Sequence, residues 1–165
     1  MAEYRNLKGG KELQDFLNQL PAKIEQNVMR SALRAGAKVI ADEAKVRVPV
    51  GDSGLLRDSI RVSTRARKGR VSASAKAGDK KAFYWRWVEY GTAAHEIRPK
   101  NGKSLFFSGL FSELIDHPGA RAKPFMRPAF DNKANEAIQA VGRMIGKRLN
   151  KAGLNAPDGF KDDEE

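Results

Sequence analysis

Apolar side chains recur along two long stretches of this chain at the three-and-four spacing of a helix face. No proline interrupts the run from Pro21 to Val48, where Ile24, Val28, Ala32, Ala35 and Val39 form one row, widened by Leu33, Ile40 and Ala44. That period predicts an amphipathic helix over residues 21–48, about 27 residues and on the order of 40 Å long at about 1.5 Å per residue. Ala32, Ala35, Gly36 and Ala37 keep one face small enough for a sheet or a second helix to come close. Leu13, Phe16, Leu17 and Leu20 predict a short preceding helix over residues 10–20, ended by Pro21. Phe130, Ala134, Ala137, Ile138, Val141, Met144, Ile145 and Leu149 keep helical spacing and predict a closing helix over residues 128–149, with Pro128 suited to its first turn. Rows of this kind pack cores.

Between the helices the period shifts to two. Ile60, Val62 and Thr64 alternate with Arg61, Ser63 and Arg65, and Val71, Ala73 and Ala75 alternate with Ser72, Ser74 and Lys76. Strands follow over residues 59–64 and 70–76, joined by the basic turn RARKGR with Gly69 at its bend. FYWRWVEYGT, residues 83–92, is the densest run of large side chains. Alternation makes residues 83–90 a third strand, with Phe83, Trp85, Trp87 and Glu89 on one face, Tyr84, Arg86, Val88 and Tyr90 on the other, and both faces covered. The short turns favour an antiparallel meander. Residues 95–99 and 104–108 read as a smaller hairpin turned between Pro99 and Gly102, with Ile97, Leu105 and Phe107 inward. Residues 109–121 carry no period and read as a loop, and residues 151–165 as a flexible, acidic-ended tail. The expected fold is therefore a single α+β domain over residues 1–150, an antiparallel β-meander packed against a long N-terminal helix and a C-terminal helix.

Charge sharpens that picture. Among 165 residues, 31 are Lys or Arg and 20 are Asp or Glu, a net charge of +11. Residues 61–86 hold nine of the basic ones (Arg61, Arg65, Arg67, Lys68, Arg70, Lys76, Lys80, Lys81 and Arg86) against the single acid Asp79. Arg61, Arg65, Arg67, Lys68, Arg70, Lys80 and Lys81 are the candidate DNA-facing residues. Such contact would be to phosphates and independent of base sequence. With no cysteine, disulfides and thiolate zinc sites are excluded. No run approaches the roughly 20 apolar residues of a membrane span, and MAEYRNLKGG has no apolar export segment. No membrane partner is expected, and synthesis in the cytoplasm fits.

Catalytic chemistry finds little support. His95 and His117 are the two histidines, both in expected loops. A metal set of His95, Glu96, Asp116 and His117 is allowed by ligand type but matches no helical i, i+4 pair. Ser53 and Ser59 have no neighbouring histidine, GDSG at residues 51–54 is a turn former, and no Gly-Lys-Ser/Thr follows it to make a phosphate loop. No enzyme, cofactor or metal is expected; a small hydrolase is the weakest reading.

Three blocks, taken in order, carry a resemblance. VPVGDSGLLRDSI, WVEYGTAAHEIRPKNGKSLFF and ARAKPFMRPAFD resemble successive blocks of the gene-ten-product-like family of morphogenesis proteins of tailed, lambdoid siphophages, over about residues 10–150. The resemblance implies a structural virion protein of the neck or tail that completes the tail or joins it to the head. It implies a tail-terminator-like subunit that assembles with itself as a ring, with sixfold symmetry leading. Neighbouring neck and tail proteins are the other implied partners, the virion is the implied location, and neither catalysis nor a cofactor is implied. A neck ring surrounds the DNA path, which gives the basic charge a use, although the basic 61–86 hairpin departs from the family pattern. Interface candidates are Phe106, Phe111, Phe125 and Met126, apolar residues in expected loops. Glu89, Tyr90, Gly91 and Thr92 join them, where the expected central strand would launch its hairpin toward a neighbour, with Gly91 as a positive-φ hinge. The alternatives are a terminator capping the tail tube and, from another class, a free sequence-independent nucleic-acid-binding protein.

Overall fold

The structure, a computed structural model, describes residues 11, 15–16, 18, 20, 22–67, 69–100, 104–107 and 109–154. The apolar row behind Pro21 folds as helix α1 (Ala22–Arg47), followed by the short helix α2 (Leu55–Asp58). Strands β1 (Arg61–Arg67) and β2 (Arg70–Lys76) come next, then helix α3 (Trp85–Tyr90). Four three-residue strands follow: β3 (His95–Ile97), β4 (Leu105–Phe107), β5 (Leu110–Ser112) and β6 (Ile115–His117). Helix α4 (Met126–Lys151) closes the order. Ahead of α1, Lys11, Asp15, Phe16 and Asn18 are helical, within the expected residues 10–20.

Helices α1 and α4 form the largest contact between elements, and they run antiparallel. Ala41, Ala44 and Val48 at the end of α1 pack with Phe125 and Ala129 at the start of α4, together with Leu56 and Ile60. Val28 and Ala32 pack at the other end with Ile145 and Leu149. The alanines allow close approach, and Gly36 is one point of it: a Cβ there would lie 2.7 Å from Val141 Cγ2 and 2.9 Å from the Ala137 carbonyl oxygen. The β1–β2 ladder, paired from Arg61↔Lys76 to Arg67↔Arg70, lies against α1.

The α+β class stands, but the described strands pair two by two: β1 with β2, β3 with β6 and β4 with β5. The expected third strand at 83–90 is instead a turn leading into α3. The Tyr84 carbonyl accepts from the N–H groups of Trp87 and Val88, and that of Trp87 accepts from the N–H of Gly91. The reason lies in which side chains turn inward. Tyr84, Trp85 and Val88 are half-buried and Glu89 is buried, a helical spacing, while Phe83, Arg86, Trp87 and Tyr90 are exposed. Local hydrogen bonds satisfied this backbone without a partner strand, so the run is not a covered centre of a sheet.

The expected hairpin of 95–99 with 104–108 is also replaced. Strand β3 pairs with β6 through His95↔His117, Glu96↔Asp116 and Ile97↔Ile115, and the bridge Thr92↔Ala120 continues that register. Strands β4 and β5 pair inside this frame. Residues 109–121, expected to be a loop, therefore hold the returning half of a long arm that leaves at Thr92 and returns at Ala120. Three-residue strands are too short to imprint a period on the sequence. Of the expected tail, 151–165, Lys151 instead ends α4 and Leu154 packs against the cluster of Val28 and Leu149, while residues 155–165, like Lys68, lie outside the described residues. No described helix is long and apolar enough to cross a membrane.

Replacing Gly36 with Val should force α1 and α4 apart and lower stability by about 1–3 kcal/mol, read from the urea midpoint. Gly51→Ala, at a site with nothing within 4 Å of the added carbon, should shift it by less than about 0.5 kcal/mol.

Candidate functional site: the EYGT and KPFMRP junction and the arm it anchors

The blocks WVEYGT and KPFMRP meet through one side chain. Glu89, in the last turn of α3, is 4% exposed and points at the start of α4. Its Oε2 accepts hydrogen bonds from the backbone N–H groups of Phe125 at 2.8 Å and Met126 at 3.0 Å, and its Oε1 from that of Arg127 at 3.0 Å. A helix start leaves its first N–H groups without intrahelical partners. Here the accounting is complete. Phe125, the N-cap, makes no side-chain cap hydrogen bond of its own; Pro128 has no N–H; and the N–H of Ala129 opens the ladder on the Phe125 carbonyl. The carboxylate also sits at the positive end of the helix dipole.

Backbone contacts extend the junction. The N–H of Lys123 donates to the Val88 carbonyl at 2.8 Å, and Thr92 and Ala120 exchange backbone hydrogen bonds at 2.9 and 3.1 Å. The N–H of Ala120 also reaches the Thr92 hydroxyl. Gly91 has φ of 72°, as expected, and a Cβ on it would lie 2.5 Å from the Ala120 carbonyl oxygen and 2.8 Å from the Ala122 nitrogen. It makes a close contact with the returning segment of its own chain.

These facts sort the interface candidates. Glu89 and Phe125, the latter fully buried, are withdrawn from any contact surface, because the first caps α4 and the second fills the core. Thr92 and Met126 are half-buried, whereas Tyr90, Phe106 and Phe111 are exposed. Phe106 and Phe111 face each other across β4 and β5 with ring centroids 5.1 Å apart, and they are 68% and 75% exposed. Two sites were not among the candidates. One is the exposed edge-to-face pair Phe83 and Trp87, 5.7 Å apart. The other is an apolar groove of about 540 Å³ between α1, β2 and α4, walled by Leu33, Ile40, Ala73, Phe130, Ile138 and Val141. The excess of apolar positions on α1 and α4 over those their mutual contact covers was its signal in the sequence.

The basic residues divide as well. Arg65, Arg67 and Arg70 are exposed at the tip of the β1–β2 ladder. Lys80, Lys81 and Arg61 belong to its base, about 20 Å away along seven-residue strands at about 3.3 Å per residue. Arg61 is committed to structure: its guanidinium donates to the carbonyls of Ser59 and Gly78. Buried Ser59 donates its hydroxyl to the Leu56 carbonyl and accepts from the Gly78 N–H. Asp79 accepts from the N–H groups of Ala82 and Lys81, which together hold its carboxyl below the usual carboxylate range.

His95 and His117, expected in loops, stand opposite each other across β3 and β6 with ring centroids 5.0 Å apart. Glu96 and Asp116 pair one residue along, and alternation sends them to the other face of the ribbon. Among the described residues no group of three or more His, Cys, Asp or Glu is placed to share a metal ion.

Glu89→Ala leaves three N–H groups at the start of α4 unsatisfied and should cost about 3 kcal/mol, with Glu89→Gln costing about half as much, both read from urea unfolding. A loss under about 1 kcal/mol for the alanine variant would show that water replaces the cap.

No curated protein and no solved structure matches the chain. A family model does match, over residues 11–91: the HK97-gp10-like family, described as "Bacteriophage HK97-gp10, putative tail-component". The matched span takes in VPVGDSGLLRDSI and ends at the glycine of WVEYGT, the residue after the helix that carries Glu89. Over residues 11–91 this chain is similar to the HK97-gp10-like family of bacteriophage tail components.

Proposed function

We propose that the protein is a non-enzymatic structural subunit that forms a ring in the phage neck or tail, completing the tail and joining it to the head around the DNA path. One observation carries this reading: a single copy leaves two different apolar surfaces uncovered, the Phe106–Phe111 arm and the groove between α1, β2 and α4. Two unlike patches on one subunit make a heterologous contact, which closes into a ring when the rotation allows. The family match adds the setting, a tail component contacting other tail proteins in the virion. Sixfold closure is the leading stoichiometry, and a terminator capping the tail tube is the alternative placement.

Light scattering and electron microscopy, with the chain alone and with isolated tails, should show rings. Phe106→Ser with Phe111→Ser should abolish them while changing stability by less than about 0.5 kcal/mol, because both rings are exposed. A chain that remains monomeric in both settings would sink the proposal.

Contact with DNA is the second reading, favoured by the exposed cluster Arg65, Arg67 and Arg70. Binding should weaken steeply with salt, and replacing these three with Ser should flatten the logarithmic salt slope by about 2 to 3. An unchanged slope would remove the tip from the DNA path.

A further inference from the structure

A second depression, of about 430 Å³, lies between α2, α3 and residues 120–123. Its apolar part is Val50, Leu55 and Trp87, all substantially exposed, and its rim carries Arg57, Arg121 and Lys123. Asp58, 3.8 Å from the Arg57 guanidinium, and Asp52, between the lining residues Gly51 and Ser53, are acids beside that rim, and none of the lining residues is acidic. A fitting occupant is an apolar anchor followed by carboxylates.

The chain contains such a segment. Beyond Leu154 it reads NAPDGFKDDEE, in which Phe160 is the one aromatic residue and Asp158, Asp162, Asp163, Glu164 and Glu165 stand against Lys161 alone. Reach decides whose pocket it can fill. Leu154 packs on the cluster of Val28 and Leu149 at the far end of α4. The pocket lies at the near end, where Lys123 precedes the helix and Leu56 packs with Phe125. The 26 residues of α4 separate the two ends by about 39 Å at about 1.5 Å per residue. Phe160, six residues past Leu154, extends at most about 22 Å. A copy's own pocket is beyond Phe160, whereas a neighbouring copy's is open to it.

We infer that residues 155–165 of one copy dock in this pocket on a neighbouring copy, with Phe160 against Leu55 and Trp87 and the carboxylates on Arg57, Arg121 and Lys123. The inference rests on the ring reading for the supply of an adjacent copy and names a contact within it. Burial of the phenyl ring supplies attraction, and the charges supply direction and salt sensitivity.

The absence of cysteine makes the contact measurable by disulfide trapping. Full-length Val50→Cys and Gly159→Cys chains, mixed under mild oxidation, can cross-link to each other only between copies. Their heterodimer should form at least fivefold faster than that of Ser72→Cys with Gly159→Cys, Ser72 being exposed on β2. Adding Phe160→Ala to the Gly159→Cys chain should erase the difference. A ratio below fivefold, or one that survives Phe160→Ala, overturns the docking. Light scattering on the parent chain reports assembly separately. Rings without selective cross-linking refute the docking alone, and selective cross-linking in a chain that forms no ring refutes the ring alone.

Discussion

One carboxylate joins the two halves of this fold. Glu89 ties the segment before the arm to the segment after it by accepting hydrogen bonds from the backbone N–H groups of Phe125, Met126 and Arg127. An ordinary capping box works within four residues, so that helix start and cap fold together. Here 36 residues separate cap and first donor, and α4 gains its start only when α3 is already against it. The orientation of α4, and through Gly36 and Ala137 that of α1, follows from this contact. Pro128 completes it by supplying no N–H that Glu89 would have to satisfy.

The same contact changes what the recognisable motifs mean. In WVEYGT and KPFMRP, Glu89 caps, Gly91 admits the backbone of Ala120 to Ala122, Phe125 fills the core and Pro128 sits in the first turn of the helix. In RDSI and the arginine after it, Ser59 and Arg61 bind the turn at Gly78. The residues that carry the resemblance are therefore those that build the scaffold. The surfaces available to partners (the Phe106–Phe111 arm, the Phe83–Trp87 pair and the two depressions) are carried between and beside them. That division suits a tail component, which must keep one shape while meeting unlike neighbours.

The long helices were plain in the sequence because a 26-residue face repeats its period about seven times. Strands β1 and β2 were plain because each alternates for seven residues. The run from Phe83 to Tyr90 was ambiguous: eight residues dense in aromatics satisfy alternation and helical spacing alike. The deciding signals were polar and local, namely Asp79 capping the turn at Lys81 and Ala82, and Gly91 with positive φ at the helix end. Glu89 as an internal cap was not readable, since nothing near it announces a donor 36 residues away. Phe106 and Phe111, singled out as interface candidates, have exposed rings. Phe125, drawn from an equally apolar context, was not separable from them without the packing.

The clamp at Thr92 and Ala120 has a consequence for how this architecture can vary. It closes a 28-residue excursion at its neck, and the arm's strands make their main contacts with one another. Closure entropy grows only with the logarithm of loop length, by about 0.6 kcal/mol per doubling. The excursion can therefore lengthen, shorten or change its tip chemistry at small cost to the helix pair. Below the clamp the chain is a fixed frame, and above it a replaceable module.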